Sequence, residues 1–272
     1  MTSARMDPNP IIPVRLRSAV ALALASVVGL VAFGWPFVTE PGAALDSSHS
    51  ADAPYVFVLL LPLLAAVVLS ELTSGAIDAK AVAMLGMLAA VGGALRALSP
   101  GTAGIEPSFA IIMLGGRVFG RGFGFVLGAV TVFVGALITG GVGPWLPFQM
   151  IAAAWVGFGA GCLPRSSGRA EIAVLSAYAF VSCLVFGVLM NLWFWPFAAY
   201  GPEVSYVAGD GLVANVERYT LFFVTTSLAW DLGRSIVAVL VITLAGKPLL
   251  RALRRAARRA AFDAPVVFER AT

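Results

Sequence analysis

Asp231 and Arg234 are the first residues to weigh for chemistry. They lie three apart inside an apolar stretch, so on a helix they share a face and the arginine is placed to neutralise the acid. Such a pair serves either as a gate or solute contact, or as a buried ion pair that orients its helix. Asp231 is the one acid deep in an apolar run, whereas an intramembrane aspartyl protease needs two facing carboxylates. The single histidine, His49, falls in a polar stretch. That excludes bis-histidine haem ligation and argues against a histidine metal site or a Ser–His pair within the apolar segments. Cys162 and Cys183 have no metal-ligand spacing and read as small core residues. No G-x-x-x-x-G-K-[ST] occurs, so the chain has no Walker loop of its own. The expectation is a protein that is not an enzyme, with no catalytic residues, no metal and no resident cofactor.

Amides and aromatics offer recognition instead. Residues 138–161 open with an apolar turn over Gly140 to Gly143, and Pro144 and Pro147 suit the first turn of a new helix. Trp145 and Gln149 are four apart and so share a face. Gly157 and Gly161 then allow close helix contact in lipid. A second cluster contains Asn191 and Trp193, followed by Tyr206 and Asp210 in a polar loop. Trp145, Gln149, Asn191, Trp193, Tyr206 and Asp210 are the candidate solute contacts. A tight turn between spanning helices, and an interfacial aromatic belt, are the competing readings.

The elements that carry these residues must lie in a membrane. Hydrophobic residues make up 60% of the 272 and charged residues 12%, and the mean hydropathy is +0.93. A soluble domain carries about 25% charged residues. Apolar runs cover about 16–37, 54–72, 79–98, 108–119, 123–139, 145–163, 172–197 and 219–250. The first exceeds the length of a signal-peptide core and reads as an uncleaved helix, with a basic-start signal segment cut near Ala43–Ala44 as the alternative. A single helix over 108–139 would set Arg117 and Arg121 at mid-bilayer, so two helices joined by a basic turn are expected. The fold class is thus all-α, an eight-helix transmembrane bundle: an N-terminal segment with two helices (1–78), a six-helix core (79–250) and a basic tail (251–272).

Charge sets the orientation. With a cytoplasmic N-terminus, Arg5, Arg15, Arg17, Lys80, Arg117, Arg121, Arg165, Arg169, Lys247 and the arginine tail all fall inside, while Glu40, Asp46, Asp52, Glu106, Glu203, Asp210 and Glu217 fall outside with only Arg96 and Arg218 near them. This predicts an inner-membrane, multi-pass protein with both termini cytoplasmic. The net charge of +4 belongs to helix ends and does not indicate nucleic acid.

Small residues form two stripes. Gly116, Gly120, Gly124 and Gly128 are expected to pack inside the bundle. Ala79, Ala83, Gly86, Ala90 and Ala94 form a second stripe, suited to a neighbouring helix or to another subunit.

From Ala79 onward the chain resembles the substrate-binding membrane subunit, or S component, of energy-coupling-factor (ECF) vitamin transporters of the ABC type. The resemblance rests on Ala79-x-x-x-Ala83, the short helix entering Gly122-x-Gly124-x-x-x-Gly128, the stretch Gly143-Pro-Trp-Leu-Pro-Phe-Gln149, and a long last helix ending in arginines. It covers about two thirds of the chain and extends most closely to actinobacterial members proposed to carry cobalamin. The resemblance implies docking of a transmembrane scaffold subunit at Ala79 and Ala83, with Gly86 and Ala90 continuing that face. It also implies two partner ATPases that use the ATP, and solute captured from outside under the loops at 99–107, 140–144 and after Pro196. The two N-terminal helices are additional to that family's core. A free-standing small-solute permease and a non-transporting membrane assembly protein are the alternatives.

Overall fold

The computed structural model describes residues 16–37, 79–97, 104–197 and 200–260. Among these residues the chain is all-helical. The helices are α1 (Leu16–Gly34), α2 (Ala79–Ala97), α3 (Ser108–Phe119), α4 (Arg121–Thr139), α5 (Leu146–Cys162), α6 (Gly168–Phe194), α7 (Leu212–Thr226) and α8 (Leu228–Ala260), with single 3-10 turns at Trp35–Phe37 and Trp195–Phe197. The expected run at 54–72 lies outside the described residues. Parts of α2, α4, α6 and α8 are long and apolar enough to cross a membrane, and α1, α3 and α5 are shorter apolar helices. The protein is a helical membrane bundle.

Helices α3 and α4 are separate, as the cost of mid-bilayer arginines requires. One residue, Gly120, divides them. Its φ of 106° and ψ of 171° exclude a side chain, and its N–H still donates to the Gly116 carbonyl. At the far end of α4, Gly140 adopts the left-handed conformation and donates to the Ala136 carbonyl, as does Gly141. Pro147 then stands at the start of α5.

The middle of the bundle is built on absent side chains. A Cβ on Gly157 of α5 would lie 2.0 Å from the Gly124 carbonyl oxygen of α4, and one on Gly116 of α3 would lie 2.2 Å from the Gly157 carbonyl oxygen. Gly128 meets the Ala153 carbonyl at 2.2 Å in the same sense. In lipid no hydrophobic force drives helices together, so such close backbone approach supplies van der Waals contact instead. Phe109, Phe119, Phe123 and Phe125 fill the surrounding core.

Helix α1 is seated on this core. Trp155 of α5 donates its indole N–H to Ser26 Oγ at 3.0 Å, Phe33 packs edge-on to Phe148 at 5.3 Å, and Gly29 makes room for Ile151.

The last helical segment differs from the expected run at 219–250. The chain is helical from Leu212, breaks at Ser227 and resumes as α8, which continues through the arginines to Ala260. The residues around the break are apolar enough to hide it. Three successive hydroxyl residues mark it: Thr225 and Thr226 return their hydroxyls to carbonyls of the preceding turn, at Leu221 and Phe222. Such bonding favours bends. Ser227 then starts α8, its carbonyl accepting from the Asp231 N–H and its hydroxyl donating to the Asp231 carboxylate.

Candidate functional site

Chain direction decides which residues meet. The end of α2, the start of α3, the start of α5, the end of α6 and the start of α8 converge at one end of the bundle, here called the Glu106 end. The opposite end gathers the end of α3, the α5–α6 connection, the start of α6 and the later turns of α8, and is called the Glu171 end.

At the Glu106 end, seven side chains form one continuous hydrogen-bonded path. Gln149 Oε1 accepts from Arg96 at 2.8 Å. Arg96 donates to Glu106 Oε1 at 2.7 Å, and Arg234 donates to Glu106 Oε2 at 3.0 Å. Arg234 also pairs with Asp231. Asp231 Oδ2 accepts from Ser227 Oγ at 3.0 Å, and Ser227 Oγ accepts from Asn191 Nδ2. The path thus runs through α5, α2, the segment before α3, α8, the α7–α8 break and α6. Its four ions balance, two arginines against two carboxylates. Balance matters because an unpaired ion is costly away from water.

Glycines and aromatic rings make room for these charges. A Cβ on Gly187 would fall 2.0 Å from Asp231 Oδ2, and one on Gly135 would fall 2.6 Å from the Arg96 stem. Gly104, with φ of 73°, lies flat on α8, where a Cβ would meet the Trp230 carbonyl at 2.1 Å. That contact fixes the segment carrying Glu106 against the start of α8. The Arg234 guanidinium stands over the rings of Phe186 and Phe109, 5.0 and 5.7 Å from their centroids. Asp231 is only 3% exposed.

Of the predicted contacts, Gln149 and Asn191 stand at the two termini of this path, and Asp231 and Arg234 form its centre. Trp193 lies beside it, its ring 5.6 Å from that of Phe148, which in turn meets Phe33 of α1. Trp145 is elsewhere: 38% exposed, it turns back to donate to the Gly141 carbonyl at 3.1 Å. Tyr206 packs against the buried ring of Trp195 at 5.2 Å. Asp210 pairs with Arg218 at 2.8 Å and accepts from the Gly211 N–H at the start of α7. With Asn215 bonded to both Val207 and Asp210, and Trp195 to Val204, these residues fold the 200–211 segment into a cap. A shallow hollow of about 440 Å³ lies on that cap, lined by Pro202, Glu203, Ala214, Glu217, Arg218 and Leu221.

Sequence reasoning missed Arg96 and Glu106 as members of the site. The available signal was charge: they stand among few ionisable residues flanking the apolar runs that also carry Asp231 and Arg234.

The Glu171 end has its own ion cluster. Glu171, 2% exposed, accepts from Arg117 at 2.8 Å and from Arg254 at 2.6 Å. Arg117 also donates to the carbonyls of Leu163, Pro164 and Ser166. Both ends of α3 are therefore stapled to α8 through arginine–carboxylate pairs.

On α2, Ala81, Leu85, Leu88, Ala89, Gly92 and Gly93 face the core, while Ala83, Gly86, Ala90 and Ala94 are exposed among the described residues. A Cβ on Gly86 would meet nothing within 4 Å. The Ala79 side chain lies outside the described set.

Comparison with protein families matches residues 80–246 to the model of the ECF transporter substrate-specific component. No curated protein and no solved structure matches the chain. Helix α1 falls outside the matched segment yet packs on it. The matched segment takes in more than half of the chain, from the start of α2 through most of α8, and on that match this multi-pass membrane protein belongs to the family of ECF transporter substrate-specific components.

Proposed function

We propose that the chain captures a vitamin-like micronutrient at the Glu106 end of the bundle. The observation that carries this reading is the seven-residue polar path, whose termini are the amides of Gln149 and Asn191 and whose flank is the Phe148–Trp193 aromatic pair. Amides recognise polar groups and indoles cover apolar faces, the combination a small-molecule site needs. The resemblance to members proposed to carry cobalamin makes cobalamin the first compound to test. The Glu106 end faces outward and both termini lie in the cytoplasm of an inner-membrane protein, on the arginine distribution.

Energy comes from partners. The chain has no Walker loop, and its family implies a transmembrane scaffold subunit and ATPase subunits. In this reading two ATPases consume ATP, the chain itself needs no cofactor, and the scaffold docks along Ala79, Ala83, Gly86 and Ala90.

Expression with its scaffold and ATPases, followed by purification and mass spectrometry of the released small molecule, tests the proposal. A complex that binds the chain and yields a stoichiometric micronutrient supports it. A chain that accumulates solute in cells lacking every ATPase partner is a free-standing permease instead.

A further inference from the structure

Glu106 is bonded differently from the other carboxylate in its network. Asp231 sits on α8 and is held locally, by Ser227 just ahead of that helix and by Arg234 within it. Glu106 sits ahead of α3, outside any helix, and bridges two arginines from different helices, Arg96 of α2 and Arg234 of α8, one with each carboxylate oxygen. Each arginine keeps a second acceptor without it. Arg96 retains Gln149 Oε1 and Arg234 retains Asp231. Removing the Glu106 carboxylate from the count therefore leaves two arginines against one aspartate, a single uncompensated positive charge held between two pre-oriented guanidiniums.

Resting on the proposed solute site, we infer that the solute carries one acidic group, a carboxylate or a phosphate ester, and that Glu106 occupies the position this group takes. Three features of the surroundings agree. Guanidiniums present paired donors that match carboxylate and phosphate oxygens. The side chains of Arg96, Glu106 and Arg234 are 19%, 14% and 12% exposed, so this part of the path is reachable, whereas Asp231 at 4% is closed in. The part-buried ring of Trp193, packed against Phe148 at the same end of the bundle, offers an apolar face for the rest of such a molecule. A resident carboxylate also keeps the arginines neutralised while the site is empty, which a membrane-buried site requires. The two arginines keep one anion between them throughout, because the part-exposed Glu106 side chain turns out to water, its backbone still held at Gly104, as the solute's anion takes its place. A neutral or cationic solute placed between Arg96 and Arg234 would break the Glu106 bridges without replacing them.

The test uses the full chain in lipid nanodiscs, with 4-fluorobenzoate as an acidic probe and 4-fluorobenzamide as its uncharged counterpart, binding being read by fluorine NMR titration. Glu106→Gln removes the competing anion and is expected to bind 4-fluorobenzoate at least about tenfold more tightly than the natural chain, with the amide unchanged. Adding Arg96→Gln to Glu106→Gln is expected to abolish the gain. Glu106→Asp keeps the charge but shortens its reach, and covers the case of a glutamine variant that does not fold. It is expected to gain about threefold. Carboxylate binding equal to that of the natural chain in a folded variant, or an equal gain for the amide, overturns the inference. Because neither partners nor uptake enter the measurement, failure of the transport reading shows separately, as no ATPase complex and no copurified solute.

Discussion

Gly187 and Asp231 fit together because one of them lacks a side chain: a Cβ on the glycine would stand 2.0 Å from the aspartate carboxylate. The contact joins α6 to the start of α8 and keeps Asp231 aimed at Arg234. Gly187→Ala is expected to destabilise the protein by about 1–3 kcal/mol through overpacking. Removing the carboxylate as well, in Gly187→Ala with Asp231→Ala, should cost less than the two single changes added together, because the clash disappears. Thermal unfolding in detergent of the four proteins gives the cycle, and strict additivity would show that the contact carries no energy.

Glu171 should be the most sensitive acid of the opposite end. It alone neutralises Arg117 and Arg254 in the described structure, joining α3, α6 and α8. Truncation leaves two arginines facing each other, and breaking a buried pair typically costs about 3–5 kcal/mol. Glu171→Ala is expected to lose that much stability and Glu171→Gln less, since the amide oxygen still accepts a hydrogen bond. A Glu171→Ala protein that melts with the natural one would remove the cluster from any account of the fold.

Much of this architecture was legible in the chain. Arg117 and Arg121 foretold a break before α4, because unpaired charge at mid-bilayer is costly, and Gly120 provides it. The four-residue glycine spacing foretold close packing, which Gly116, Gly124 and Gly128 make against α5. Asp231 and Arg234 pair as their spacing required. Long-range partners were not legible. Gln149 meets Arg96 across 53 positions and Arg234 meets Glu106 across 128, and helical periodicity reports only which residues share a face. The break at Ser227 was hidden for a related reason: hydropathy is blind to hydroxyls that bond within their own turn.

Gln149 and Asn191 terminate the polar path, so their loss should be felt in solute binding. If each amide leaves a partner unpaired, Gln149→Ala and Asn191→Ala are expected to weaken affinity by about 1–3 kcal/mol. Isothermal titration with the copurified solute measures it. Unchanged affinity in both folded variants would place the solute elsewhere, with the hollow at Glu203, Glu217 and Arg218 next in line.

Orientation has a direct test at Arg165, which is exposed between α5 and α6 at the Glu171 end. Arg165→Cys is expected to resist an impermeant thiol reagent added to intact cells and to react in inverted vesicles. The natural cysteines are replaced by serine first, because Cys162 is also exposed. Labelling from outside would invert the proposed topology.

On the proposed function, release of the solute draws its work from a partner, since the chain has no Walker loop. A solute held at micromolar affinity costs about 8 kcal/mol to free at the standard state. A partner can provide that only by binding the loaded and emptied states differently. The proposed contact is the face of α2 containing Ala83, Gly86 and Ala90, which is exposed among the described residues and low enough at Gly86 for another helix to approach. Ala79 stands on the same stripe, one turn before Ala83. Thirteen positions separate Ala83 from Arg96, about 20 Å along a helix, so bulk added at the first should not reach the polar path. Ala79→Trp with Ala83→Trp is therefore expected to abolish ATP-dependent uptake and release the scaffold during purification, while solute affinity stays within about twofold. Normal uptake by the double variant, in membranes that contain the partners, would move the docking surface off α2, and α1, packed on α5 and α6 outside the segment shared with the family, would be the next face to block.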